Sequence, residues 1–192
     1  MATPPLSKDD CKKRRETIRE STKKRVEFEN QWGTPVALTP EEIFKRLVDD
    51  TCCKEERNGC DCEQVAKYCE DQANVIAKLE KYIAAGDFTT FPQHTVLATS
   101  GPAGIRPKDV TCCIKKAIEI MEAWTTSSSS DFAPVFTDTF WAGVYMFGVG
   151  VKGIFTGDRT EFNKAHAEIE LGRSRAFRNI LLDIYALCCC ED

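Results

Sequence analysis

Any chemistry in this chain would rest on sulfur. Its 192 residues hold eleven cysteines against two histidines. Besides Cys11, the cysteines fall in tight groups: Cys52-Cys53, Cys60-Asp61-Cys62, Cys69, Cys112-Cys113 and the run Cys188-Cys189-Cys190. Zinc takes four soft ligands in a tetrahedron, commonly from paired spacings on two turns. Cys53 and Cys60 are separated by six residues, as are Cys62 and Cys69, around an Asn58-Gly59 turn. Cys53, Cys60, Cys62 and Cys69 are therefore the candidate ligand set, and zinc is the cofactor they would hold. Against this, the Cys-x-x-Cys knuckles of zinc fingers are missing. Cys62 and Cys69 also fall in phase with Ile76 and Ile83, where a cysteine serves as a small hydrophobe. Cys113 is likewise in phase with Ala117 and Met121. The core reading is the favoured one.

Cys188, Cys189 and Cys190 follow an amphipathic helix, a setting in which clustered cysteines accept S-acyl chains; the ending CCCED is not a prenylation box. Simple packing followed by a frayed tail explains the run as well. Nucleophilic catalysis finds little support. His94 sits in a polar loop and His166 one turn after Phe162 on a helix, so a Cys112–His94 pair has nothing in sequence to assemble it. Ser100-Gly101-Pro102-Ala103-Gly104 carries a proline where a phosphate loop needs an amide donor, and Gly148-Val149-Gly150 lacks a preceding βαβ pattern. No catalytic residue is assigned, and a non-enzymatic protein is expected.

Charge gives a second lead. The net charge is −4, yet Lys8–Arg25 holds nine basic against four acidic residues, a local +5 that leaves −9 for the remainder. Lys8, Lys12, Arg15, Arg19 and Lys23 step by four, three, four and four, which stacks them on one face of a helix. Such a face neutralises phosphates in salt-sensitive, sequence-independent binding. RNA, DNA or an acidic partner is the expected ligand. Arg173, Arg175 and Arg178 form a second basic group. The bland alternative is a solvated helix laced by Glu16 and Glu20, in a protein that is acidic as a whole.

These residues need helices to position them. Residues 8–30 contain good helix formers and no Gly or Pro, and Trp32-Gly33-Thr34-Pro35 ends the segment. Thr39-Pro40-Glu41-Glu42 reads as a helix start with Thr as N-cap and Glu at the third position. A longer helix is predicted from about Asp61 to Ala85, closed by Gly86, with Cys62, Val65, Cys69, Ala73, Ile76, Leu79 and Ile83 along its buried side. Residues 87–106 read as a connection. Pro107 opens a helix carrying Val110, Cys113, Ile114, Ala117, Met121 and Trp124. After the Ser-rich hinge 125–130 comes the most apolar segment, 132–155, predicted as helix to about Gly148 and irregular or strand-like beyond. Its Phe136, Phe140, Trp141, Tyr145 and Phe147 exceed what one amphipathic helix buries and mark a homo-oligomer interface. The last helix is predicted from Thr160 to about Leu187, capped by Asp158 or Thr160.

Together these patterns predict an all-α, single-domain bundle of five to six helices, with a basic N-terminal arm over 1–35 and a helical domain over 36–192. No apolar run is long enough to span a bilayer. The opening MATPPLSKDDCKK has prolines and charges where a secretory leader needs an apolar stretch. The expected setting is therefore a reducing, cytoplasmic compartment or an assembled particle, with thiols free or metal-bound; the odd cysteine count agrees. The expected function is structural: self-association through apolar helices and contact with nucleic acid or an acidic partner through the basic arm, a nucleocapsid-like or coat-like design. The alternatives are a small zinc-binding regulatory or adaptor protein and, behind it, a cysteine-dependent enzyme.

Overall fold

Helix boundaries follow from side chains able to satisfy the terminal amides and carbonyls. The computed structural model describes residues 4–31, 39, 42, 45–46, 48–49, 60–90, 112–115, 117 and 148–190. The protein is all-α: among the described residues every regular element is a helix. Three of these are bounded at both ends: α1 (Lys8–Gln31), α2 (Cys62–Ala85) and α3 (Thr160–Cys188). Residues 112–115, 117 and 148–156 are also helical.

Each start has its cap. Ser7 Oγ accepts the Asp10 amide at 3.2 Å and donates to the Asp10 carboxylate at 2.6 Å, which satisfies the first turn of α1. Asp61 accepts the Gln64 amide at 3.0 Å ahead of α2. Asp158 accepts the Thr160 amide at 2.9 Å ahead of α3. The Thr39–Glu42 capping box forms as the sequence predicts, with Thr39 N–H on the Glu42 carboxylate at 2.7 Å and Glu42 N–H on Thr39 Oγ at 3.3 Å. Gly86 closes α2 at φ 68°, a left-handed conformation that suits glycine.

The chain forms two compact units. The first gathers Met1–Glu70, Val110–Ala117 and Asn179–Asp192. Val65, Cys69, Cys113, Ile114, Ala117 and Leu181 are among its deepest side chains. Between Ile180 and Leu187 only Asp183 and Tyr185 escape full burial, so this end of α3 is enclosed nearly all round. Disulfides run through this unit, joining Cys11 to Cys190, Cys60 to Cys113 and Cys62 to Cys189, with Cα separations of 6.3, 5.3 and 5.5 Å. Cys112 and Cys188 are disulfide-bonded as well. The expectation of free or metal-bound thiols is corrected here. An odd count forces only one cysteine to stay a thiol, and among the described residues that one is the buried Cys69.

The second unit holds Asp71–Asp109 and Ile118–Arg178. Leu79, Ala165, Ala167 and Phe177 are buried in it. The side-chain amide of buried Asn163 donates to the Phe88 carbonyl at 2.9 Å, tying the segment after α2 to α3. Tyr82 meets Phe88 edge to face at 5.3 Å. Residues 148–156 are helical where the glycines predicted an irregular or strand-like stretch. The glycines serve packing here. A Cβ on Gly150 would sit 3.4 Å from the Phe162 ring, and one on Gly153 would sit 3.0 Å from the Asp158 carbonyl oxygen. Gly157, at φ 73°, then ends the helix with its amide on the Gly153 carbonyl at 2.9 Å.

Candidate functional site

α1 displays its basic residues as the spacing predicts, with one exception. Lys8, Lys12, Arg19 and Lys23 are exposed, whereas Arg15 is half-buried. Its Nε donates to the Ala186 carbonyl at 2.6 Å, and its Nη2 donates to the Cys190 carbonyl. Ala186 is in the last turn of α3 and Cys190 just beyond its end, where a cation also meets the negative end of the helix dipole. On the next face, Arg14 donates to the Asp183 carboxylate at 2.6 Å and to the Asn179 carbonyl at 3.4 Å. Burial pushes the Asp183 carboxyl up from its ordinary value, and the Arg14 guanidinium pulls only partly in the other direction. With the Cys11–Cys190 disulfide, these bonds fasten the first half of α1 to the end of α3. Composition and spacing gave no sign of this anchorage, because each bond reaches more than 160 residues along the chain.

The anchorage shapes a hollow. Lys8, Lys12, Arg15 and Arg19 line a cavity of about 400 Å³ together with Asp9, Cys11, Glu16 and Cys190. Four cations against two carboxylates leave it electropositive. A wider hollow of about 790 Å³ on the other flank of α1 includes Asp10, Lys13, Arg14 and Asp183, where charges of both signs alternate. Arg175, from the second basic group, is engaged with Glu80 at 2.7 Å, and Arg178 is half-buried.

The four sulfurs proposed as ligands do not come together as a set. Cys60 and Cys62 belong to different disulfides, Cys69 lies buried on α2 at 1% exposure, and Cys53 lies outside the described residues. The structure forms another group instead. The Sγ atoms of Cys60, Cys62 and Cys189 all lie within 4.8 Å of one another, and those of Cys60 and Cys189 are 3.8 Å apart. Cys188, Cys189 and Cys190 are all in disulfides, which leaves no thiol there for S-acylation in this state. His166 is a partly packed residue, 3.7 Å from Glu170 one turn on and 5.8 Å ring to ring from Phe162.

The predicted interface residues Phe136, Phe140, Trp141, Tyr145 and Phe147 lie outside the described residues, as does His94. The end of the same apolar segment is described and faces solvent: Ile154 is 74% and Phe155 86% exposed, with Val151 one turn before them. Among the described residues no helix is long and apolar enough to cross a membrane. Comparison of the chain with protein-family models, curated proteins and solved structures gave no match.

Proposed function

We propose that this chain is a non-enzymatic structural or assembly protein that holds a nucleic-acid backbone on the cationic face of α1 and self-associates through the apolar end of segment 132–155. The observation that carries the reading is the hollow walled by Lys8, Lys12, Arg15 and Arg19. Three of these four cations are exposed at helical spacing, and the fourth is held in place by carbonyls. A flexible phosphodiester chain needs positive charge at repeated intervals along a groove, and it needs no shaped pocket for a base. Self-association finds support in Val151, Ile154 and Phe155, which repeat at helical spacing on a solvent-facing side. The disulfides favour an oxidising setting or an assembled particle over the reducing cytoplasm.

Fluorescence anisotropy with a labelled single-stranded RNA tests the first part. Affinity should fall as salt rises, with a log–log slope of about −3 for four phosphates neutralised. Lys8→Ala, Lys12→Ala and Lys23→Ala combined should weaken binding at least ~10-fold at low salt, whereas Lys78→Ala with Lys81→Ala on exposed α2 positions should not. Undetectable binding at low salt, or equal loss in both variants, refutes the assignment. In sedimentation runs on the same samples, Phe155→Asp should shift the wild-type oligomer to monomer; a wild type that is monomeric at high micromolar concentration refutes self-association.

A further inference from the structure

We propose that Cys60, Cys62 and Cys189, completed by Cys113, form a redox-gated site for a thiophilic tetrahedral cation such as Zn²⁺: disulfides when oxidised, metal thiolates when reduced. Three separate segments deliver these sulfurs to one place. Cys62 opens α2 with Cys60 just before it, Cys189 follows the last turn of α3, and Cys113 is a fully buried residue of the 112–115 helical stretch. The Cys60–Cys189 separation of 3.8 Å is the geometric observation behind the proposal. Four sulfurs at about 2.3 Å from one zinc stand roughly 3.8 Å from each other along the tetrahedron's edges. Cys60, Cys62 and Cys189, all within 4.8 Å, thus already outline one face of that tetrahedron across two different disulfides. Cys113, tied to Cys60 by its disulfide, stands outside this trio and supplies the fourth ligand by swinging its sulfur inward once that bond opens.

The surroundings favour the charged form. Cys62 occupies the first turn of α2, where the helix dipole stabilises a thiolate. Arg15 sits on the carbonyl of Cys190, the residue next to Cys189, and brings positive charge to an otherwise anionic tetrathiolate. All three outlining cysteines are half-buried, so a small reductant can reach them while bulk water is limited.

The chemistry balances with a phosphine as reductant. Each phosphine takes the oxygen of one water to become a phosphine oxide, and that water's two hydrogens pass to the two sulfurs of one disulfide. Two phosphines open Cys60–Cys113 and Cys62–Cys189 into four thiols. Binding of the divalent cation then releases four protons and forms four metal–sulfur bonds. Diamide reverses the process: each diazene takes two electrons from a pair of thiolates and two protons from water as one disulfide re-forms, and the cation leaves.

The test uses the full chain, reduced anaerobically with the phosphine and titrated with Co²⁺. The expected result is saturation at one ion per chain with the intense thiolate charge-transfer and d–d bands of tetrahedral cobalt. Zn²⁺ should displace these bands, and diamide should abolish them. The oxidised chain should give none. Cys60→Ser, Cys62→Ser and Cys189→Ser should each lose the bands, while Cys11→Ser, whose bridge lies outside the cluster, should keep them. Circular dichroism of each variant identifies any that fails to fold, and the wild-type comparison of oxidised with reduced protein requires no variant. A reduced wild type that shows no tetrahedral cobalt spectrum overturns the proposal, as does equal loss in Cys11→Ser.

Discussion

Arg14 and Arg15 are neighbours in sequence with different tasks. Arg15 completes the carbonyls at the end of α3, whereas Arg14 meets a carboxylate that is itself partly desolvated. Because burial outweighs the ion pair, the folded-state pKa of Asp183 lies above its ordinary value. The sign of its effect on stability follows. A raised folded pKa means that protonation favours the fold, so this contribution is complete below the ordinary value of 3.8 and is lost as pH rises through the raised one. At neutral pH the ionised Asp183 therefore carries a cost that an amide would not, while the amide oxygen still accepts from Arg14. Asp183→Asn is expected to leave the Tm at pH 7 equal to or up to ~2 °C above wild type, with the gap closing as pH falls toward 4. Thermal melts at both pH values measure this; a large loss of stability at pH 7 would mean that the ion pair dominates. Asp10 behaves oppositely. Its bond from Ser7 holds the carboxyl below its ordinary value, so its contribution is present above 3.8 and lost as pH falls through the lowered pKa.

Helices were legible wherever apolar period and cap agreed. The limits of α2 and α3 emerge within a residue or two because Asp61, Gly86 and Asp158 are local signals whose partners lie within four residues. The 148–156 helix was not legible. Glycine in a helix interior costs about 1 kcal/mol relative to alanine, and only the tertiary neighbours of Gly150 and Gly153 reveal why it is retained. Gly148 and Gly153 should consequently respond in opposite ways to the same substitution. Exposed Gly148 has nothing within 4 Å of an added Cβ, so Gly148→Ala should stabilise by ~0.5–1 kcal/mol through propensity alone. Gly153→Ala must push against the Asp158 backbone and should destabilise by ~1–3 kcal/mol. Chemical denaturation of the two variants separates these effects, and equal shifts would show that packing at Gly153 is unimportant.

At the scale of the whole molecule, the bridges connect residues 179, 53 and 127 apart. Sequence spacing carries no information at that range, and cysteine connectivity cannot be deduced from order alone. An odd count leaves only one cysteine unpaired, since ten of eleven can pair. Cys60 and Cys62 are near neighbours in sequence, while Cys113 and Cys189 reach them only through the fold. The basic face was legible because helical period is local, but its attachment at Cys11 was not. That attachment is the longest-range constraint among the described residues, and closing long loops restricts the unfolded chain most in the entropic model. Cys11→Ser in the oxidised protein should therefore cost about 2–4 kcal/mol, a Tm drop of roughly 4–16 °C for a chain of this size. Cys190→Ser should cost the same. The double variant should be no worse than either single one beyond ~0.5 kcal/mol, because both substitutions delete one shared bond. Limited proteolysis of the single variant should also begin within Lys8–Arg19, where fastening by Arg14 and Arg15 alone remains. Unchanged melting in Cys11→Ser, or additive losses in the double variant, would show that this bridge does not hold the basic helix in place.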